Sequence, residues 1–220
     1  MLSKKDTDNT KKELMFDYSE EQVDKMFSYL DMVLERNEHI NLTAVRDRDE
    51  AVQKHLVDSL SICNLPEYIS AGSVIDIGTG AGFPGAFLAI ASPDKDFTLL
   101  DSTLKRLKII DEFANKLDIT NANTLHARAE EIYKKEEYAE KYDLCVSRAV
   151  ANLSTLASWS LPFVKKGGYF IAYKGSNYQE EINEASKNLK KYGGVLERII
   201  ETENKTSEIS GHVLLVIKKI

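Results

Sequence analysis

The sequence is poor in cysteine and proline. Its 220 residues include only 2 Cys, 4 Pro and 11 Gly. The two scattered cysteines, Cys63 and Cys145, exclude a disulfide framework and a CxxC metal site. The composition, with 43% hydrophobic and 29% charged residues, is that of a globular protein and not of a collagen-like or low-complexity chain. We therefore expect a chain that buries a sizeable core without metals or disulfides.

Long hydrophobic runs are also missing. The longest apolar run, Phe83 to Ala91, is far shorter than the roughly 18 residues that a membrane-spanning helix needs. Residues Met1 to Lys12 are charged and polar where a secretory signal is apolar. No heptad or large apolar repeat indicates an obligate oligomer. We therefore expect a soluble cytoplasmic monomer with no membrane partner.

Basic residues are not in excess. The chain carries 29 Lys and Arg against 35 Asp and Glu, which gives a net charge of −6 and a pI near 5.4. Such a balance excludes broad, sequence-independent nucleic-acid binding driven by counterion release. Local basic surfaces remain compatible with it.

Hydrophobic patterning divides the chain into three parts. Residues 1–15 show no apolar period and are predicted to form a flexible tail. Residues 16–70 are predicted to be helical, because capping patterns at Ser19 and at Asp47 each precede apolar residues at helical spacing. Residues 71–220 are predicted to form the main domain.

In the main domain, short β-branched or apolar runs alternate with helical patterns. The predicted strands are residues 74–77, 97–100, 124–127, 144–147, 169–173, 195–200 and 213–217. Strand and helix alternation requires parallel pairing with crossover helices, which predicts an α/β fold with a doubly wound, mostly parallel seven-stranded sheet. Only the polar residues 202–211 separate the last two strands, so we expect a terminal hairpin with an antiparallel C-terminal edge strand.

A glycine-rich segment follows the first predicted strand. Asp76 to Gly85 has the sequence DIGTGAGFPG, with Gly78, Gly80 and Gly82 at alternate positions. Glycines let the backbone come into contact with a ligand that side chains would obstruct. The segment also contains GxGxxG, so it fits a dinucleotide as well, and a tight turn capped by Asp76 is the purely structural alternative.

Two carboxylates bear on the identity of the ligand. Asp76, at the end of the first strand, would repel a pyrophosphate but attract the ammonium of a methionine moiety through water, which favours S-adenosylmethionine. Asp101 ends the second strand and is placed to accept hydrogen bonds from ribose hydroxyls of any adenosine ligand. An NAD(P)-dependent oxidoreductase that uses the same loop therefore stays open as an alternative.

The sequence resembles the RsmG, or glucose-inhibited division protein B, methyltransferases, which methylate N7 of one guanine in 16S ribosomal RNA. The matching blocks lie in order between about residues 41 and 175. They are NLTAVRD at 41–47, KHLVDSL at 54–60, DIGTGAGFPG at 76–85, LLDS at 99–102 with Lys105-Arg106, AEE at 129–131, SRA at 147–149 and KG at 174–175.

The resemblance implies a class I methyltransferase fold, S-adenosylmethionine as cofactor, and 16S ribosomal RNA within the small subunit or an assembly intermediate as partner. It places Asp101 at the ribose, the Ala129-Glu130 pair beside the adenine, and Arg148 at the edge between cofactor and substrate. The predicted cofactor-binding residues are Asp76, Gly78, Gly80, Gly82, Phe83, Asp101, Ala129, Glu130 and Arg148. A non-catalytic small-subunit assembly factor that keeps the cofactor as a ligand is the non-enzyme alternative.

The chemistry of the implied reaction needs no general base. Guanine N7 carries an in-plane lone pair and no proton, so no catalytic dyad is expected. Arg148 and Lys174 are predicted to position phosphate, carboxylate or the guanine edge, with a structural ion pair as the alternative for Arg148. The candidate RNA contacts are Arg46, Arg48, Lys105 and Arg106, with solvated charges as the alternative.

Other side chains with chemical potential receive a structural interpretation. His55 lies off the apolar stripe of its helix and is expected to be packed or exposed, not catalytic. No His or Cys spacing suggests a metal site. Phe83, Tyr173 and Tyr178 are the aromatic candidates for stacking on a guanine that has left its stack, with core or rim positions as the alternative.

Overall fold

A computed structural model describes residues 4–148, 150–201 and 213–220. Ala149 and the polar segment 202–212 lie outside the described residues. The strands are β1 (Ser73–Ile77), β2 (Asp96–Asp101), β3 (Ala122–His126), β4 (Tyr142–Arg148), β5 (Val164–Lys174), β6 (Gly194–Glu201) and β7 (Val213–Lys219). They form one seven-stranded sheet with the order β3-β2-β1-β4-β5-β7-β6.

The predicted doubly wound, mostly parallel sheet is confirmed. Strands β1 to β5 pair in parallel, and β7 pairs antiparallel with both β5 and β6. One detail differs from the expectation, because β7 lies between β5 and β6, so that β6 and not the C-terminal strand is outermost. The physical reason is burial: β7 is buried along almost its whole length, whereas most of β6 is exposed.

The helices fall into an N-terminal group and a group that covers the sheet. The first comprises α1 (Lys4–Asp17), α2 (Glu20–Asn37), α3 (Arg48–Ala51), a π-helical turn (Val52–Val57), α4 (Asp58–Leu60) and α5 (Pro66–Ile69). The second comprises α6 (Gly85–Ala91), α7 (Leu104–Lys116), α8 (Ala129–Ile132), α9 (Leu153–Ser160), a 3-10 turn (Leu161–Phe163) and α10 (Tyr178–Lys191). None of the helices in these described ranges is long and apolar enough to cross a bilayer.

Within residues 1–15, predicted as a flexible tail, the structure has helix α1 from Lys4 onward. Polar contacts tie α1 to the rest of the N-terminal group. Lys11 Nζ lies 2.6 Å from Asp24 Oδ1, and Gln53 Nε2 donates to Thr10 Oγ1 at 3.0 Å. These contacts are polar and join residues that are distant in sequence. The helix therefore has no apolar period from which it could have been predicted.

Two hydrophobic clusters flank the sheet. In β1, Val74 packs into one cluster and Ile75 into the other, because successive strand residues point to opposite faces. Helices α2, α6 and α7 contribute to the first cluster, and α9 and α10 to the second. The N-terminal helices therefore share a core with the sheet and help to shape its carboxyl edge.

Candidate active site

A cavity of about 590 Å³ lies at the carboxyl ends of β1, β2 and β4. The last residues of these strands, Ile77, Asp101 and Arg148, all line it. Doubly wound sheets bind ligands at this edge, and the volume falls in the range of about 300–1,000 Å³ that is usual for ligand pockets. We call it the cofactor cavity.

The glycine loop after β1 is tied to β2. The Gly78 and Thr79 N–H groups both donate to the Leu100 carbonyl, at 2.8 and 3.0 Å. Gly78 has φ +73°, and a Cβ atom at this position would lie 2.6 Å from Cγ2 of Val150, which also lines the cavity. Only glycine combines this backbone conformation with the close approach of the segment after β4.

Gly82 makes room for a helix instead of a ligand. With φ +95°, a Cβ atom here would lie 2.1 Å from the hydroxyl of Tyr29 on α2. That hydroxyl donates to the Ala81 carbonyl at 3.0 Å. Gly80 lines the cavity, whereas Gly82 does not. The sequence analysis missed Tyr29, whose helical spacing indicated only a core position.

Asp76 is fully buried behind the loop and does not line the cavity. Its Oδ2 accepts hydrogen bonds from Thr79 Oγ1 at 2.7 Å and from the Gly85 N–H at 3.0 Å. Its Oδ1 is buried with no hydrogen-bond partner in the described part of the chain. Burial raises the pKa of Asp76 to about 6, although both hydrogen bonds lower it. The carboxylate thus caps the turn, and a contact with an ammonium group stays a prediction.

Asp101 faces the cavity from the end of β2. Its Oδ2 accepts from the Gly80 N–H at 3.0 Å, and its Oδ1 accepts from the Thr103 N–H at 2.7 Å. Arg106 Nη1 lies 3.8 Å from Oδ2. Because each carboxylate oxygen has two lone pairs, both oxygens keep acceptor capacity for the hydroxyls of a ribose.

The first residues of α8 form a further part of the wall. Ala129 and Glu130 both line the cavity, as does Arg128. Arg128 Nη1 lies 3.7 Å from Glu130 Oε1. The pair that the resemblance assigns to the adenine is therefore in place to contact a ligand.

Arg148 forms the structural ion pair that the sequence analysis gave as its alternative and also lines the cavity. Its Nη1 donates to Asp58 Oδ2 at 2.7 Å and to the Lys54 carbonyl at 3.0 Å. The side chains of Arg148 and Asp58 are only 8% and 1% exposed. The guanidinium also lies 5.5 Å from the ring centroid of Phe83 and lines the cavity. A structural ion pair thus holds a cation at the cavity wall.

Phe83 lines the cavity, but other rings cover it. It stacks on His55 with centroids 4.8 Å apart and on Phe87 with centroids 4.9 Å apart. Since only 6% of Phe83 is exposed, its faces are not available to a guanine.

His55 is packed, as expected, and at the same time lines the cavity. Its Nε2 lies 2.7 Å from Thr43 Oγ1, which also accepts from the Val45 N–H at 3.1 Å. Burial and the neighbouring Arg148 guanidinium lower the pKa of His55 to about 4. The ring is therefore neutral at pH 7.

Lys174, predicted as a positioning group, lies outside the cavity wall. Its Nζ lies 2.6 Å from Glu181 Oε2 and donates to the Ala151 carbonyl at 2.8 Å. The same Glu181 oxygen accepts from the Leu153 N–H at 2.6 Å. Lys174 therefore fixes the segment that follows β4 and does not face the cavity.

The two tyrosines predicted as stacking candidates also lie elsewhere. Tyr173 is buried and donates to the Ser59 carbonyl at 2.8 Å. Tyr178 packs beside the second hydrophobic cluster and does not line the cavity.

The four candidate RNA-binding cations have different surroundings. Arg106 lines the cavity, and Lys105 is exposed beside it on α7. Arg46 is exposed in the connection before α3. Arg48 is engaged in a bidentate pair with Asp31, through Nε at 2.6 Å and Nη2 at 3.0 Å.

Several wall residues were given no role by the sequence analysis. Among them are Thr43, Lys54, Thr79, Ser102, Arg128, Val150 and Trp159. The adjacent residues Lys54 and His55 both reach the cavity from the π-helical turn, a feature that often occurs at functional sites but that no sequence pattern predicts. Trp159 is the only tryptophan of the chain, and this was the one sequence feature that could have pointed to a wall residue.

Comparison with known proteins decides between the interpretations of the glycine loop. A model of the GidB family, described as rRNA small subunit methyltransferase G, matches residues 22–210. The chain belongs to this family. It is 43% identical over 204 residues to the ribosomal RNA small subunit methyltransferase G of Clostridium novyi, covering 93% of this chain and 84% of that protein. Its counterpart from Clostridium perfringens (strain 13) is 41% identical, covering 93% and 85%.

Solved structures with the same fold include methyltransferases. An O-methyltransferase from Bacillus cereus in complex with SAH has a TM-score of 0.61 at 15% identity, covering 87% of this chain and 91% of that one. A SAM-dependent methyltransferase from Aquifex aeolicus has a TM-score of 0.57 at 17% identity, covering 76% and 92%. At these identities the likeness shows the fold, which is that of class I methyltransferases.

The Tyr29 hydroxyl gives a test of how the N-terminal helices support the cofactor loop. Tyr29→Phe leaves the buried Ala81 carbonyl without its donor, so we expect the free energy of unfolding to fall by about 1–2 kcal/mol. Affinity for S-adenosylmethionine should fall as well, because the loop loses its anchor. Denaturant unfolding and calorimetric titration measure the two effects.

The matched control is Tyr68→Phe. Tyr68 is also buried and donates to the Leu88 carbonyl at 3.2 Å, away from the cofactor cavity. It should lose stability but keep cofactor affinity. Equal cofactor affinity in Tyr29→Phe and wild type would show that α2 does not support the loop.

The lowered pKa of His55 makes stability depend on pH. The unfolded state takes up a proton near pH 6.5, whereas the folded state resists protonation until about pH 4. The free energy of unfolding should therefore fall, as pH decreases through this window, by about 3 kcal/mol from this residue. His55→Phe keeps a ring on Phe83 and removes the titration, so the free energy of unfolding of wild type relative to His55→Phe, measured by urea unfolding, should fall by about 3 kcal/mol between pH 7 and pH 4.

Asp76 contributes to the same profile with the opposite sign. Because its pKa is raised to about 6, the folded state holds a proton that the unfolded state releases, and stability falls as pH rises from about 4 to 6. This contribution is common to wild type and His55→Phe, so it cancels in their difference. Parallel pH profiles for the two proteins would refute the assignment to His55.

Proposed function

We propose that the protein transfers the methyl group of S-adenosylmethionine to N7 of a specific guanine in 16S ribosomal RNA. Family membership makes the chain an S-adenosylmethionine-dependent methyltransferase of small-subunit ribosomal RNA. The observation that carries the proposal is the cofactor cavity, where the glycine loop, Asp101 and Arg148 meet at one edge of the sheet. The oxidoreductase alternative finds no support in the family assignment.

The residues of the cavity fit the cofactor. Gly78 offers bare backbone where a Cβ atom would collide with Val150, and Asp101 keeps acceptor capacity for the ribose hydroxyls. Ala129 and Glu130 would hold the adenine. When bound, S-adenosylmethionine supplies an electrophilic methyl group on its sulfonium.

The protein's contribution to the reaction is alignment. Guanine N7 needs no deprotonation, and His55, the histidine of the cavity wall, is neutral and held by Thr43. Holding the guanine in line with the methyl group can supply up to about 7–11 kcal/mol of the barrier. Arg148, fixed by Asp58, keeps its charge at one place and so orients the groups that approach it.

Trp159 is the aromatic residue of the cavity wall for which the described residues show no stacking ring. A guanine in folded RNA must leave its stack before N7 is accessible, and stacking on an aromatic ring compensates for that cost. Trp159 is half-buried on α9 and lines the cavity, whereas Phe83 is covered by His55 and Phe87. We assign the stacking role to Trp159.

The acceptor is 16S ribosomal RNA within the small subunit or an assembly intermediate, and the enzyme acts as a cytoplasmic monomer. Lys54, Arg106 and Arg128 supply positive charge around the cavity for the phosphates next to the guanine. Because the chain as a whole is acidic, contact with RNA depends on such local cations.

The test is incubation with methyl-labelled S-adenosylmethionine and small subunits from cells that lack this gene. We expect label in the RNA and none in the proteins. If the protein binds both S-adenosylmethionine and subunits but transfers no label, the assembly-factor alternative replaces the enzyme. Protection from thermal unfolding by NADH but not by S-adenosylhomocysteine would restore the oxidoreductase.

A further inference from the structure

A second cavity, of about 480 Å³, lies at the opposite end of the sheet from the cofactor cavity. Four lysines line it: Lys134, Lys166, Lys191 and Lys219. We call it the lysine cavity. Glu140 is the acidic side chain among its lining residues.

The fold brings these lysines together from four separate elements. Lys166 lies near the start of β5, Lys219 ends β7, Lys191 ends α10, and Lys134 follows α8. The amino ends of the parallel strands therefore carry this cavity, and the carboxyl ends carry the cofactor cavity. With 7 residues in β4 at about 3.3 Å each, the two cavities are roughly 20 Å apart.

Three of the four lysines in the lysine cavity form no ion pair within the part of the chain that the structure describes. Lys219 is buried, donates to the Tyr192 carbonyl at 2.8 Å and lies 3.6 Å from Glu140. Lys134, Lys166 and Lys191 are exposed, and within the described ranges none of them pairs with a carboxylate. In a chain with net charge −6, this group of lysines forms a local basic surface separate from the cations of the cofactor cavity.

Two aromatic residues border the same cations. Tyr133 and Tyr192 both line the cavity, and Lys191 Nζ lies 5.1 Å from the Tyr192 ring centroid. Lysine ammonium groups bind phosphates as point charges, and aromatic faces stack on bases irrespective of sequence. Lysines beside aromatic rings are typical of surfaces that bind single-stranded nucleic acid, with the lysines on the phosphates and the rings on the bases.

We propose that the lysine cavity binds the phosphate backbone of a second segment of ribosomal RNA, distant from the guanine that is methylated. The inference rests on the proposed function and extends it. The seven residues of β4 separate the two cavities by roughly 20 Å. An acceptor that binds to both cavities must span this distance across the protein. The preferred acceptor is therefore an RNA that extends at least this far from the guanine, such as the small subunit or an assembly intermediate, and not a stem-loop too short to reach both cavities.

The experiment compares two double variants with equal net charge. Lys166→Ala with Lys191→Ala removes two exposed cations from the lysine cavity, and Lys12→Ala with Lys116→Ala removes two exposed cations elsewhere. Binding to small subunits and to protein-free 16S ribosomal RNA is measured by filter retention without cofactor over a series of salt concentrations. Methyl transfer is measured on subunits and on a short stem-loop that contains the methylated guanine.

For the lysine-cavity variant we expect affinity for subunits to fall about five- to tenfold and KM to rise in parallel. The slope of log K against log salt should decrease by about 2, one for each lost phosphate contact. The kcat value, the affinity for S-adenosylmethionine and the activity on the stem-loop should match wild type. The control variant should behave as wild type throughout.

Three results would overturn the proposal. The first is equal behaviour of the two double variants, which includes the case in which neither they nor wild type bind subunits. The second is an equal loss on the short stem-loop, which would place these lysines at the target guanine. The third is a loss on subunits with unchanged binding to protein-free 16S ribosomal RNA, which would indicate an acidic protein partner. Binding is measured without methyl transfer, so the two proposals are tested separately. A protein that binds normally but transfers no methyl group refutes the proposed function and does not refute RNA binding by the lysine cavity.

Discussion

Gly78→Val should reduce the affinity for S-adenosylmethionine at least about 100-fold and abolish methyl transfer. The backbone at Gly78 has φ +73°, a conformation that costs a β-branched residue about 1–3 kcal/mol. In addition, the new Cβ would lie 2.6 Å from Cγ2 of Val150, so the loop or the segment after β4 must move into the cavity. Calorimetric titration with S-adenosylmethionine measures the loss.

The control for this variant is Gly175→Val. A Cβ atom at Gly175 meets nothing within 4 Å, and the residue does not line the cofactor cavity. It should bind S-adenosylmethionine as wild type does. Circular dichroism of both variants separates loss of binding from loss of folding. If folded Gly78→Val kept wild-type affinity, the assignment of the glycine loop to the cofactor would be wrong.

Arg148→Ala has the second largest expected effect, because it acts on stability and on activity. The substitution removes the guanidinium from an Asp58 carboxylate that is 1% exposed, and breaking one side of such a buried pair costs about 3–5 kcal/mol. The Lys54 carbonyl and the face of Phe83 lose their neighbour as well. We expect a lower urea midpoint and strongly reduced methyl transfer.

Two further variants make this result specific. Arg36→Ala breaks an ion pair with Glu112 in which the two side chains are 30% and 37% exposed. The free energy of unfolding should therefore fall by less than about 1 kcal/mol. Arg148→Lys keeps a cation beside Asp58 and should recover stability, but little activity, since an ammonium group does not reproduce the planar guanidinium. Wild-type cofactor affinity and turnover in Arg148→Ala would remove Arg148 from the active edge.

Much of the fold could be predicted because local patterns and topology rules agree. Short apolar runs alternating with helical periods leave few alternatives to a doubly wound parallel sheet. The position of β7 was less accessible, because its pairing between β5 and β6 depends on burial over its whole length. Helix α1 escaped prediction because Lys11 and Thr10 contact residues that are distant in sequence.

The candidate site was likewise predictable only in part. Gly78, Asp101 and Arg148 were predictable as wall residues because each lies at or just after the end of a parallel strand. Lys174 pairs with Glu181 on α10, and no sequence pattern predicts that pair.

His55 was found only in part. The sequence analysis expected His55 to be packed or exposed and did not place it in the cavity wall, which depends on the π-helical turn. Long-range pairs and irregular turns are thus what sequence patterns leave open, and in this protein they shape the site.

The central claim is that this cavity directs methyl transfer to guanine N7. The most direct measurement is nuclease digestion of 16S ribosomal RNA after the labelled reaction with small subunits, followed by separation of the nucleosides. The account predicts that all label migrates as 7-methylguanosine and derives from a single guanine. Label in any other methylated nucleoside, or spread over many guanines, would contradict it.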